Sequence, residues 1–170
     1  MTRRASPILL AGLLAVVSVQ VAAKDSLGVF SGWAAFRDAS VPRCYAIAKP
    51  EVPTRQRDLD RREYVPYATV GSWPKRQLRN QLHFRLSREM AKNARATLTL
   101  GGRSFALTGG GGDAWAKDKA MDAAIIAAMR SASRMSISAV DKRGNRFADR
   151  YDLKGAATAI DAATLGCSRR

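Results

Sequence analysis

The stretch Arg79-Asn80-Gln81-Leu82-His83-Phe84-Arg85-Leu86-Ser87 places Leu82, Phe84 and Leu86 on one face and Arg79, Gln81, His83, Arg85 and Ser87 on the other. Successive side chains of a strand point to opposite faces, so this pattern predicts a half-buried antiparallel strand with a wet outer surface. Downstream, Ala96, Leu98 and Leu100 repeat the alternation, Gly101-Gly102 supplies a two-residue turn, and Phe105 with Leu107 begins a return strand. Two apolar-alternating runs joined by Gly-Gly make a hairpin.

On the N-terminal side, Val29 to Arg37 and Arg43 to Ala48 are short runs rich in aromatic and aliphatic residues, read as two strands joined by a turn at Ser40-Val41-Pro42. Tyr64 to Trp73 has the same strand character. Between them, Lys49 to Arg62 loses apolar content and carries Pro50 and Pro53. The charges from Arg55 to Glu63 interleave arginines with Asp58, Asp60 and Glu63, which predicts an exposed loop whose charges largely neutralise one another.

After Trp115 the period changes. Met121, Ala124, Ile125, Ala128 and Met129 form one apolar helical stripe, with Asp118 placed to cap the helix N-terminus. Met135, Ile137 and Ala139 return to period two, and Lys142 to Asn145 turns the chain into a strand carrying Phe147, Tyr151 and Leu153. Gly155 then opens an Ala-rich helix with Ala156, Ile160 and Ala163 on one face, ending near Gly166 and Cys167. About eight strands and two short helices, without regular strand-helix alternation, predict a mainly β fold. The expected architecture is an antiparallel β-sandwich or open barrel, with an α+β roll as the alternative.

Residues 1–23 read as a cleaved signal peptide: Arg3 and Arg4, an apolar run from Ile8 to Val19, then Val21-Ala22-Ala23. The run is shorter than the roughly 20 apolar residues of a membrane span. Ser6 and Pro7 favour the general secretory route over twin-arginine export. Residues 24–170 are then expected to form a single periplasmic or secreted domain. In an oxidising compartment Cys44 and Cys167 are expected to pair.

The chain has 29 Lys and Arg against 14 Asp and Glu; the leader holds two of the cations, which leaves +13 on the remainder. Such a charge attracts polyanions such as acidic envelope polymers, anionic membrane or a host surface. The expected contact surface is the basic strand face of Arg79, His83 and Arg85, with Lys75, Arg76 and Trp73 beside it. Specific nucleic-acid binding has no signature here. Gly109 to Gly112 before a helix invites comparison with a phosphate loop, yet it lacks the Gly-Lys-Ser/Thr ending, and Asp113 and Asp118 would repel an anion. It is expected to be a flexible connection.

Catalytic inventory is thin. His83 is the only histidine and sits mid-strand among arginines, and no serine lies in a Gly-x-Ser-x-Gly elbow. One histidine and two distant cysteines build no four-ligand metal site. The expected catalytic and metal sets are therefore empty, no cofactor is indicated, and a hydrolase with an unfamiliar site is the alternative to a binding protein.

Phe30-Ser31-Gly32-Trp33, then Cys44, the helix end Met129-Arg130, the strand Met135 to Ala139, and Tyr151-Asp152-Leu153-Lys154-Gly155 entering an Ala-rich helix together resemble the invasion-associated locus B family. The likeness covers most of residues 24–170, without the closely placed mid-chain cysteines of many members. It implies a small exported bacterial envelope protein with a β-rich fold, named for a member linked to host-cell invasion and defined by no enzymatic activity.

Overall fold

The computed structural model describes residues 24–168; the expected signal peptide lies outside the described residues. Among the described residues eleven strands and three α-helices follow one another. They are β1 (Asp25–Phe30), β2 (Trp33–Asp38), β3 (Arg43–Ala48), α1 (Gln56–Asp60), β4 (Tyr67–Trp73) and β5 (Leu78–Arg85). Then come β6 (Thr97–Leu100), β7 (Arg103–Ala106), β8 (Thr108–Gly110), β9 (Asp113–Trp115), α2 (Lys119–Met129), β10 (Arg134–Val140), β11 (Arg146–Asp152) and α3 (Ala156–Ser168).

The strands form two antiparallel sheets, one of seven in the order β1-β2-β3-β4-β5-β9-β8 and one of four in the order β11-β10-β6-β7. Neither closes into a barrel, and the fold is the expected β-sandwich. Leu82, Phe84 and Leu86 are fully buried, as their alternation requires. They meet the inward residues of the second sheet, among them Leu98, Ile137 and Tyr151; the Phe84 and Tyr151 rings lie 5.9 Å apart. Two helices complete the core, with Ile125 and Met129 of α2 and Ile160 and Ala163 of α3 buried in it. Asp118 caps α2, accepting the Met121 N–H at 2.7 Å.

Three local readings change. Val29 to Arg37 is not one strand but a tight hairpin, because Ser31 adopts φ +55° and lets Phe30 pair with Trp33 across Ser31-Gly32. The glycine run 109–112 does not interrupt the sheet. It turns β8 onto β9, with Gly111 at φ +58°, and is pinned when Leu86 and Met90 donate to the Gly112 and Gly111 carbonyls. The 49–62 segment contains the five-residue α1, giving three helices where two were expected.

The sequence motifs near the two ends of the domain touch one another. Trp33 is fully buried, and its Nε1 donates to the Asp152 carbonyl at 2.9 Å. Gly155, at φ +85°, brings its α-carbon against the Phe30 carbonyl, where a Cβ would collide with backbone. Both the dihedral and the close approach require glycine at the entry to α3. Cys44 of β3 and Cys167 of α3 are disulfide-bonded with Cα atoms 5.7 Å apart, so the final helix is tied to the sheet it covers.

Candidate functional site

The expected basic face is divided in two by a bulge. Leu78 pairs with Trp73 and Gln81 with Gly71, so Arg79 and Asn80 together oppose Ser72, and Asn80 takes φ +54°. An inserted residue shifts the phase of alternation. Gln81, His83 and Arg85 therefore share the outer face, while Arg79 leaves it and borders a cavity of about 250 Å³ with Asn80, Thr164 and Cys167, at the end of α3. Arg79 is exposed, as are Lys75 and Arg76 on the single 3-10 turn Pro74–Arg76 between β4 and β5. None of these three cations has an ion-pair partner among the described residues. Trp73 is half-buried beside them.

His83 and Arg85 have a different environment. β9 pairs with β5 so that Arg85 faces Asp113 and His83 faces Trp115. Asp113 Oδ1 lies 2.9 Å from His83 Nε2, and its Oδ2 accepts from Arg85 Nη1 at 2.5 Å. The His83 ring stacks on Trp115 at 4.9 Å and meets the edge of Tyr67 at 5.7 Å, while the Arg85 guanidinium lies 3.8 Å from the Tyr64 ring centroid. One carboxylate thus bridges the imidazole and the guanidinium predicted to be open, and the face is aromatic as much as basic. No hydroxyl or thiol hydrogen-bonds to His83 among the described residues, so no nucleophile and base are assembled around it. Ser87, assigned to the wet face, is buried; its N–H donates to Asp149 at 2.8 Å.

The densest gathering of cations lies elsewhere. The 49–62 segment runs along the free edge of β11, where the Glu51 N–H donates to the Arg150 carbonyl at 2.7 Å. Between them is a cleft of about 520 Å³. Arg55, Arg57, Arg61 and Arg62 line one side, and Arg146 and Arg150 the other. Arg88, only 4% exposed, reaches Asp141 at 3.3 Å and Asp58 at 3.4 Å and also borders the cleft. Asp149 is 4% exposed there, and its burial raises its pKa above the usual carboxylate value despite the nearby arginines and the Ser87 hydrogen bond. Sequence reasoning took residues 55–63 for a self-neutralising loop. Its richness in arginine was the available signal, but the partners on β11 are some 90 residues away in the chain, which no local pattern reveals.

Among the described residues no group of three or more His, Cys, Asp and Glu is arranged to hold a metal ion. No helix among them is long and apolar enough to cross a membrane. The family model described as "Invasion associated locus B (IalB) protein" matches residues 44–164, well over half of the chain, and spans the β4–β5 turn, the His83–Asp113–Arg85 cluster and the arginine cleft. No curated protein and no solved structure matches the chain significantly.

Proposed function

We propose that this chain, which belongs to the invasion associated locus B family, is an exported envelope protein that works by binding an anionic envelope or host-surface component, without catalysis. Family membership and the Cys44–Cys167 disulfide both support a site of action outside the cytoplasm, since disulfides persist where the surroundings are oxidising. The observation that carries the binding reading is the exposed trio Lys75, Arg76 and Arg79, on the β4–β5 turn and the start of β5, with no ion-pair partner among the described residues. An extended polyanion engages such a patch through many weak contacts, each screened over a Debye length of about 10 Å at 0.1 M salt. His83 and Arg85 extend the surface along β5, where Asp113 pairs with Arg85 and hydrogen-bonds to His83.

The test is titration with lipopolysaccharide or a model polyanion at low salt. Lys75→Glu with Arg76→Glu and Arg79→Glu should weaken binding at least fivefold more than the equal charge reversal Lys92→Glu with Arg95→Glu and Arg103→Glu. Equal losses would mean that the net charge acts diffusely and that the turn is no site.

A further inference from the structure

We propose that the cleft between the 49–62 segment and β11 is a discrete site for a phosphomonoester carried on a sugar-sized body, separate from the exposed turn and independent of it. Three observations carry the inference. The first is charge balance. Seven arginines border the cleft, and its three carboxylates are Glu51, Asp58 and Asp149. Glu51 is drawn to Arg134 at 3.7 Å, Asp58 is met by Arg88, and Asp149 is spent on the Ser87 N–H. Arg62 also lies near Asp149, while Arg55, Arg57, Arg61, Arg146 and Arg150 have no ion-pair partner among the described residues.

The second observation is unmet donors. Nε and Nη2 of Arg62 and Nε of Arg88 are buried and make no hydrogen bond among the described residues. A buried charged donor without an acceptor is costly, and native structures rarely leave one in that state without a reason. Both side chains border the same cleft. An anion in the cleft would draw these guanidinium groups towards it and supply the acceptors they lack.

The third is size and shape. About 520 Å³ is far more than a bare inorganic anion fills and falls within the range of small-molecule pockets. Phe147, Val52 and Pro53 give the cleft apolar wall on which a sugar ring can rest. Guanidinium forks bind phosphate through paired, directional hydrogen bonds. A phosphomonoester offers three terminal oxygens and close to two charges, so it can satisfy arginines from both walls together. A carboxylate offers only one edge. Free in solution or as the headgroup of a lipid, the ester presents the same phosphate.

The purified, disulfide-intact protein is titrated with glucose 1-phosphate, with glucuronate, and with phosphatidylcholine vesicles containing phosphatidylinositol 4-phosphate, whose phosphomonoester sits on a sugar-sized ring. Glucose 1-phosphate should bind with one-to-one stoichiometry and raise the melting temperature, and at least tenfold more tightly than glucuronate. Arg62→Gln should weaken it at least tenfold without lowering the melting temperature of the unliganded protein, which a merely structural arginine would lower. Arg146→Gln, on the exposed wall, should weaken it at least threefold and serves if Arg62→Gln misfolds. Vesicle binding that falls with Arg62→Gln assigns the phosphate to a lipid headgroup; a response to the free ester alone assigns it to a soluble one. Glucuronate binding as tightly as the ester, or Arg62→Gln and Arg146→Gln leaving affinity unchanged, would overturn the proposal. Phosphate-ester binding absent while polyanion binding at the Lys75–Arg79 turn persists overturns this site and leaves the surface reading standing.

Discussion

Asp113 holds Arg85 across the β5–β9 pairing, accepting from Nη1 at 2.5 Å while its second oxygen meets His83. The charge of the strand face is therefore set by a residue on a neighbouring strand, and the alternation of β5 alone does not describe it.

Asp113→Asn removes that negative charge and leaves His83 and Arg85 to act on an approaching anion. Arg85 and Asp113 are partly solvated, so their ion pair contributes no more than about 1 kcal/mol. Affinity for a polyanion at low salt should rise about threefold, with a steeper decline as salt increases. Titration across a salt series reads both, and an unchanged affinity would remove His83 and Arg85 from the binding surface.

The disulfide closes most of the domain into one loop, since Cys44 and Cys167 are 123 residues apart. Loop entropy puts its contribution at about 4 to 5 kcal/mol, an upper figure because unfolded chains retain structure. Cys44→Ala with Cys167→Ala should lower unfolding free energy by a large part of that amount in urea titration. The apolar face of α3, with Ala156, Ala159, Ile160 and Ala163 buried, should keep the helix docked in the folded fraction. A loss below about 1 kcal/mol would show that the unfolded chain is already held compact by other means.

Asp149 gives a pH dependence of defined sign. Its burial raises its pKa, so the folded state binds this proton more tightly than the unfolded chain, and stability falls as pH rises from the ordinary carboxylate value through the raised one. Asp149→Asn cannot ionise, and its amide oxygen can still accept the Ser87 N–H. The variant should be more stable than the parent at pH 7, and that advantage should shrink towards zero as the pH drops below about 4, near the unfolded carboxylate value. Melting curves from pH 3 to 8 measure it; an advantage that grows on acidification would reverse the assignment.

How much of the site was legible follows from how local each signal is. The exposure of Arg79 could be read from the alternation of its strand, with Lys75 and Arg76 beside it. Their separation from His83 could not, because it depends on the bulge opposite Ser72, which exists only once β4 and β5 have set their register. The arginine cleft was invisible for a stronger reason: residues 55–62, 88 and 146–150 share no sequence neighbourhood, and only the packing of the 49–62 segment on the β11 edge brings them together.

The sequence by itself determined the elements whose cause lies within a few residues. Alternation buried Leu82, Phe84 and Leu86; Gly101-Gly102 turned β6 onto β7; Asp118 capped α2; and an apolar stripe placed Ile160 and Ala163 inward. Only the tertiary structure decided which charges are met and which are not. Period and turn chemistry are properties of a short stretch of chain, whereas a counter-charge is delivered by strand register and by segments 30 to 100 residues distant. Asp113 engaged the Arg85 and His83 side chains expected to stand open, and β11 assembled arginines expected to neutralise themselves into a cleft with unmet donors.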